Sequence, residues 1–272
     1  MKPMLVSALG LLAVLSLPSP AQQPFRWPDG KRVAVSLTFD DARQSQVTNG
    51  LDLFERHRTH VTFFVNPRNM APQMAGWKRA VTLGHEIGNH SETHPCSGNF
   101  AFSRANNLED YTAERFAADV DAATAGIQRL LGVNATTFAF PCGQKYAGRG
   151  AQTQSTVPVI ARRFLAGRGF KDESANDPAF CDLAQLMGVD SDGMSFTGML
   201  AQLKDAESRG AWLVFAGHNI GAEGRQTTLV PTLEQFLRYA NDPANGVWLD
   251  TIENIASYVR KQRAAAGSPL AK

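Results

Sequence analysis

The sequence has little net charge, no internal repeat and no long linker. Its 27 lysine and arginine residues nearly balance 25 aspartate and glutamate residues, which leaves a formal charge of +2. So small a charge produces no strong field, so binding to nucleic acid or to a membrane surface is not indicated. We therefore expect a small or neutral partner, and a single large domain with a buried core.

The one marked hydrophobic run, from Met4 to Leu17, is too short to cross a bilayer. It follows a positively charged start and leads to small residues that end at Ala21, a pattern that predicts a cleaved secretory signal peptide over residues 1–21. The alternative is a membrane anchor, but the run is short and no cysteine follows it that could be lipidated. We expect a secreted or periplasmic protein, residues 22–272, that is not inserted into a membrane after cleavage.

Cysteine is scarce, since the chain has only Cys96, Cys142 and Cys181. In an exported protein, this odd number predicts one disulfide and one remaining thiol. The sequence does not identify the pair, and three buried apolar thiols are an equally good interpretation.

Apolar segments of two kinds alternate along the chain. Residues 33–39 and 61–65 are rich in β-branched and aromatic residues and predict buried strands, whereas residues 108–131 have apolar residues at helical spacing. The alternation indicates an α/β fold with a parallel sheet covered by helices. Further strands are predicted at 136–140, 186–189, 211–215 and 247–249, and helices at 44–56, 71–83, 159–165, 196–209, from Thr232 and from Thr251.

Metal-binding residue types occur in two clusters. His90 and His94 are four residues apart, which on a helical turn would place both rings on one face. Asp40 and Asp41 end the first predicted strand. Two histidines and one aspartate could hold a cation, which leaves the other aspartate for proton transfer, although a histidine pair at this spacing also occurs by chance.

Four short motifs, taken in order, resemble those of the polysaccharide deacetylase family, which has the NodB homology domain. Order, spacing and strand context agree over roughly residues 33–260. The resemblance implies a distorted (β/α) barrel, similar to a TIM barrel, in a single catalytic domain. The motifs are Thr38–Asp41, His90–His94, Phe138–Gly143 and Leu213–His218.

The resemblance also implies a role for each matching residue. Asp41, His90 and His94 would hold a divalent metal, most commonly zinc in this family. Asp40 would be the general base, and His218 the general acid.

In the third motif, Pro141, Cys142 and Gly143 would contact the substrate. The backbone N–H of Cys142, where the family often has tyrosine, would bind the oxyanion.

The chemistry of these residue types supports the same assignments. Three protein ligands leave a coordination position open, which is typical of catalytic zinc, whereas a structural site would need a fourth ligand such as Cys96. Adjacent residues at a strand end point in different directions, so Asp40 cannot readily bind the same ion as Asp41. We expect it to accept a proton from water, and His218 to protonate the leaving group.

Two positions depart from the family pattern. The arginine that orients the base is replaced by Ala139. Arg149, Arg163 and Arg168 are the substitutes to consider, although solvated surface residues are the simpler interpretation of each. The segment that normally supports the acid histidine lacks its tryptophan, so Asp190, Asp192 or neither could pair with His218.

The sequence thus predicts a metal-dependent hydrolase that removes acetyl groups from a carbohydrate. Amide cleavage on an N-acetylhexosamine oligomer or polymer is the first expectation, and ester cleavage on an acetylated glycan such as xylan is the second. A non-catalytic carbohydrate-binding protein on the same scaffold is the alternative from another class. The sequence is silent on the oligomeric state.

Overall fold

The computed structural model describes residues 25–271, so the predicted signal peptide lies outside the described residues. Strands and helices alternate through most of this range. The strands are β1 Val33–Asp40, β2 Thr62–Val65, β3 Glu86–Asn89, β4 Thr137–Ala139, β5 Tyr146–Ala147, β6 Gln154–Ser155, β7 Ala166–Arg168, β8 Val189–Asp190, β9 Trp212–Gly217, β10 Asn219–Gly221, β11 Thr227–Leu229 and β12 Val247–Leu249. The α-helices are α1 Leu51–Arg56, α2 Pro67–Met70, α3 Met74–Thr82, α4 Ala113–Leu131, α5 Val157–Ala161, α6 Phe196–Ser208, α7 Val230–Asn241 and α8 Ile252–Ala265.

Eight of the strands form one parallel sheet in the order β7, β4, β3, β2, β1, β9, β8, with β12 beside the start of β1. Beyond β7, a parallel bridge joins Arg168 to Leu186, three residues before β8. The sheet therefore curves into a half barrel surrounded by helices. This confirms the predicted α/β fold of a single domain.

The two faces of the sheet bury different side chains. In β1, Val33, Val35, Leu37 and Phe39 belong to the larger apolar core, which also contains residues of α1, α3, α4, α6 and α7. The alternate residues from Ala34 to Asp40 face the inside of the half barrel, since side chains of a strand alternate between faces. There, α8 packs against the sheet through Ile252, Ile255 and Val259.

Several local predictions are wrong in detail. The helix α4 begins at Ala113 rather than near Leu108, and α7 begins at Val230, so Thr232 is not its N-cap. The predicted helix at 159–165 ends at Ala161, and the strand β7 follows it. Thr251 does cap α8, since its side chain accepts a hydrogen bond from the N–H of Asn254.

None of the helices within residues 25–271 is both long and apolar enough to cross a membrane.

Candidate active site

The predicted site residues come together at the C-terminal edge of the sheet. Asp40 is the last residue of β1, His90 directly follows β3, and His218 directly follows β9. In a parallel sheet these strand ends lie side by side. The sequence motifs, which are far apart in the chain, therefore meet in one place.

Asp41, His90 and His94 form a compact cluster. The Oδ1 atom of Asp41 lies 3.5 Å from Nε2 of His90 and 3.4 Å from Nε2 of His94, and the three ligand atoms lie within 4.8 Å of one another. Two ligands at about 2.1 Å from a tetrahedral zinc ion would be about 3.4 Å apart. The donor set and its spacing therefore fit a divalent cation such as zinc.

Hydrogen bonds aim these ligand atoms at a common point. The Nδ1 atom of His90 lies 2.8 Å from the carbonyl oxygen of Ala139, so an Nδ1–H donor leaves Nε2 with its lone pair free. Arg43 donates to Oδ2 of Asp41 from Nη2 at 2.8 Å, which leaves Oδ1 for a cation. These hydrogen bonds thus leave Nε2 of His90 and Oδ1 of Asp41 free to bind a cation.

The histidine motif is an irregular turn, so the helical turn expected for it is wrong. Ser91 and His94 have φ values of 62° and 51°, in the left-handed region. The turn is held by Asn66, whose Nδ2 donates to the carbonyl oxygens of His90 at 2.6 Å and Ser91 at 2.8 Å. The two imidazole rings nevertheless lie with centroids 4.8 Å apart, because the turn folds back on itself.

The ionisation of these ligands suits metal binding. Burial, together with the nearby charge of His90, lowers the pKa of His94 to about 4. Burial alone would raise the pKa of Asp41, but the contact with His90 and the other neighbouring imidazoles hold it well below 3.8. At neutral pH, an ionised carboxylate thus faces a neutral His94.

Of the three arginines considered as substitutes for the residue that Ala139 replaces, Arg168 is the one beside Asp40. It is fully buried, and its Nη2 donates to Oδ1 of Asp40. Arg168 ends β7 and is the register partner of Ala139 on β4, so its side chain projects from the same face of the sheet one strand away. The surface interpretation is wrong for this arginine, whereas Arg149 and Arg163 form ion pairs at exposed carboxylates.

Burial is the largest influence on Asp40 and acts to raise its pKa. The charges of Arg168, His90 and His218 and the hydrogen bond from Arg168 outweigh it, so the pKa of Asp40 lies below 3.8. Its Oδ2 atom is 4.0 Å from Nε2 of His90. Asp40 is therefore a charged carboxylate beside the cluster. Its charged partner is Arg168, whereas the partner of Asp41 is Arg43.

Asp192, rather than Asp190, supports His218. The Nδ1 atom of His218 lies 2.6 Å from Oδ2 of Asp192, and the backbone N–H of His218 donates to Oδ1 at 3.1 Å. Burial lowers the pKa of His218, but the hydrogen bond to Asp192 and the charge of Asp40 raise it above 6.5 overall. Asp190 instead accepts a hydrogen bond from the N–H of Asp192 at 3.0 Å.

A disulfide links Cys96 to Cys142, so it joins the loop after His94 to the turn at Pro141, Cys142 and Gly143. Cys181 is the remaining thiol. Because the sulfur of Cys96 is bonded to Cys142, it is not available as a fourth metal ligand.

The turn at Pro141, Cys142 and Gly143 has an unusual backbone conformation. Cys142 has a φ of 53°, and a side chain on Gly143 would approach the backbone nitrogen of Phe170 to 2.7 Å. The N–H of Gly143 donates to the carbonyl oxygen of Phe140 at 2.8 Å, so it belongs to the turn itself. A cavity of about 380 Å³ adjoins the turn, and its lining includes Gly143, Glu109 and Tyr146.

Parts of this chain are similar in sequence to known proteins. A family model described as "Polysaccharide deacetylase" matches residues 28–156. An uncharacterized 30.6 kDa protein of Geobacillus stearothermophilus is 29% identical over 116 residues, which are 42% of this chain and 39% of that protein. The peptidoglycan-N-acetylglucosamine deacetylase PgdA of Listeria monocytogenes is 42% identical over 62 residues, which are 22% of this chain and 13% of PgdA.

The fold is shared with a protein of Mycobacterium smegmatis assigned as a polysaccharide deacetylase. Its crystal structure aligns with a TM-score of 0.65 and 17% identity, over 90% of this chain and 96% of that one. The family match at residues 28–156 contains Asp40, Asp41, His90 and His94. Arg168, Asp192 and His218 lie beyond it and are placed at the site by the fold.

Proposed function

We propose that the protein is a metal-dependent hydrolase that removes acetyl groups from a carbohydrate, because the polysaccharide deacetylase model matches residues 28–156 and the site residues described above lie together. The observation that carries the proposal is the pairing of two carboxylates with different surroundings. Asp41 faces His90 and His94 as a ligand would, whereas Asp40 is held by Arg168 as a base would be. Retention of both, with the pair of His218 and Asp192, favours an enzyme over a binding protein.

Asp41, His90 and His94 would hold the cation, which when bound polarises the acetyl carbonyl and lowers the pKa of water. Asp40 then takes the proton of the attacking water. The N–H of Cys142 donates to the carbonyl oxygen as that oxygen gains charge. His218 gives a proton to the leaving atom, so that the acetyl bond breaks and acetate is released.

The substrate we propose is an N-acetylhexosamine oligosaccharide or polysaccharide. An amine leaves as a neutral group only after it gains a proton, and a pKa of His218 raised by its hydrogen bond to Asp192 favours the protonated imidazole that can give it. An alkoxide leaving group depends less on the acid, so cleavage of an acetyl ester is the second candidate. We also propose that the protein works outside the cytoplasm, where its disulfide would persist.

Acetate release measured with zinc-loaded protein tests the proposal. The panel comprises chitooligosaccharides, peptidoglycan and acetylated xylan, and we expect the most acetate from an N-acetylated member. Asp40→Asn should lower kcat/KM by about 10²- to 10⁴-fold with zinc content unchanged. His90→Ala should lose zinc and activity together, whereas His60→Ala, at an exposed histidine away from the site, should lose neither.

Full activity of Asp40→Asn would contradict the assigned base, and full zinc content of His90→Ala would contradict the assigned ligands. A zinc-loaded protein that releases no acetate from any member but binds one of them would instead be a carbohydrate-binding protein.

A further inference from the structure

Two phenylalanine rings are exposed beside the metal-ligand cluster. Phe102 is 70% exposed and Phe100 is 43% exposed. Their ring centroids lie 5.5 Å apart with an angle of 30° between the ring planes, so the pair presents a nearly continuous apolar surface. Contiguous exposed apolar surface often marks a binding site, whereas single exposed apolar residues are common.

The loop that carries these rings is tied down at its base. The N–H of Leu108 donates to the carbonyl oxygen of Cys96 at 2.9 Å, and the buried Ser103 hydroxyl bonds both the N–H and the carbonyl oxygen of Cys96 at 2.9 Å. The disulfide to Cys142 adds a covalent link at the same point. The rings are therefore held in the solvent by an ordered loop, which lowers the entropy cost of binding to them.

The aromatic surface is continuous with the candidate active site. The centroid of the Phe102 ring lies 6.5 Å from that of the His94 imidazole. A molecule that places an acetyl group at the cluster of Asp41, His90 and His94 would therefore have its neighbouring part beside Phe102. The group that binds to the aromatic surface should thus be another part of the substrate.

We propose that Phe100 and Phe102 form a stacking surface for a pyranose ring that adjoins the sugar whose acetyl group is removed. The proposal rests on the function proposed above and deepens it. One face of a pyranose exposes C–H groups, which pack on an aromatic face while the hydroxyl groups at the rim remain hydrated. Two adjacent rings tilted by 30° suit an extended glycan, so an oligosaccharide or polysaccharide should bind more tightly than a monosaccharide.

The test compares substrates of different length in a double variant, Phe100→Leu with Phe102→Leu, which keeps apolar side chains but removes the flat rings. With chitotetraose as substrate, we expect KM to rise about tenfold and kcat to change less than twofold, since each stacked ring contributes roughly 2- to 10-fold. With N-acetylglucosamine, KM should not change. The conservative Phe102→Tyr variant should keep the KM of the unaltered protein.

Phe180 provides a matched control. It is 78% exposed but belongs to the loop before β8, where Arg263 of α8 donates to the neighbouring Pro178 carbonyl oxygen. Phe180→Leu should therefore leave KM for both substrates unchanged. An equal effect from Phe180→Leu, or an unchanged KM for chitotetraose in the double variant, would overturn the stacking proposal and leave the deacetylase proposal standing.

Binding measured without turnover separates the two proposals. Calorimetric titration of chitotetraose into Asp40→Asn should show about tenfold weaker binding when both phenylalanines are also replaced. That result supports stacking even if the unaltered protein releases no acetate. If sedimentation instead shows a dimer that the double variant dissociates, with chitotetraose binding unchanged, the surface is a subunit contact and the stacking proposal is wrong.

Discussion

The two ends of the half barrel each bury a carboxyl group on the inner face of the sheet, but the pKa values of the two groups are shifted in opposite directions. Asp40 ends β1 at the C-terminal edge, and Glu86 begins β3 at the N-terminal edge. Both side chains are almost completely buried. The pKa of Asp40 is lowered because Arg168 and two imidazoles outweigh its burial, whereas burial dominates at Glu86 and raises its pKa above 4.5.

The partners of Glu86 explain this difference. Its Oε2 atom accepts hydrogen bonds from the hydroxyl of Thr62 at 2.7 Å and from the N–H of Glu253 at 3.0 Å, and its Oε1 atom accepts one from Thr137. Thr62 in turn accepts the N–H of Ile252 at 3.0 Å. Together they satisfy the first N–H groups of α8, a task for which neutral polar groups suffice.

Burial alone therefore does not distinguish the carboxylate proposed as the base. Within residues 25–271, no lysine or arginine forms an ion pair with Glu86, whereas Arg168 pairs with Asp40. A carboxylate that must accept a proton has to remain ionised before the reaction, and a buried guanidinium provides this. The charge partner is what separates a base from a structural acid.

Removing Arg168 should make Asp40 resemble Glu86, and we expect the largest effect here. In Arg168→Met, the largest influence that opposes burial is lost, so the pKa of Asp40 rises and the acid limb of the kcat/KM profile moves to higher pH. Activity at neutral pH should fall by about 10²-fold or more. Stability should fall by about 3–5 kcal/mol, since one partner of a buried ion pair is lost; urea unfolding measures this.

A relocated arginine provides the control. Ala139 and Arg168 are register partners on neighbouring strands, so the double variant Ala139→Arg with Arg168→Ala places a guanidinium on the adjacent strand. It should recover part of the activity and shift the acid limb back toward lower pH. If Arg168→Met leaves the acid limb in place, Arg168 does not control the ionisation of Asp40.

The same residues show how far the sequence alone could go. Asp40, Asp41, His90, His94 and His218 lie directly after strands or in short motifs, so strand prediction and spacing locate them. Arg168 lies in a strand of only three residues that contains a glycine, too short for a periodic pattern.

Pairing between distant segments could not be predicted from the sequence either. The adjacency of β4 and β7 places Arg168 opposite Ala139, and no local pattern encodes this register. The choice of Asp192 over Asp190, and of Cys142 as the partner of Cys96, likewise depends on which loops meet in three dimensions.

Replacing Asp192 tests how a charged partner controls ionisation at the C-terminal edge of the sheet, and we expect a smaller effect than for Arg168. In Asp192→Asn, the charged hydrogen-bond partner that raises the pKa of His218 most is lost, so His218 loses its proton at lower pH. The alkaline limb of the kcat/KM profile should move to lower pH, and activity at neutral pH should fall by about 10- to 100-fold.

Asp190→Asn is the matched control, because Asp190 carries the same charge but does not contact His218. Its alkaline limb should stay where it is in the unaltered protein. Equal shifts from both variants would mean that the general field of the loop, rather than the direct contact, sets the pKa of His218.

Glu86→Gln should have the smallest effect, because burial raises the pKa of Glu86 and a neutral amide resembles the protonated carboxyl group that burial favours. A folded-state pKa raised above 4.5 means that the folded protein holds the proton more tightly, so stability is highest below pH 4.5 and falls as pH rises through the folded pKa. Glu86→Gln should remove this decline and change stability at pH 4 by no more than about 1 kcal/mol. Urea unfolding from pH 4 to pH 8 measures both, with kcat/KM expected within twofold. If the free energy of unfolding of the variant were several kcal/mol lower at every pH, Glu86 would be needed in its charged form. Glu86 and Asp40 would then not differ in the way described above.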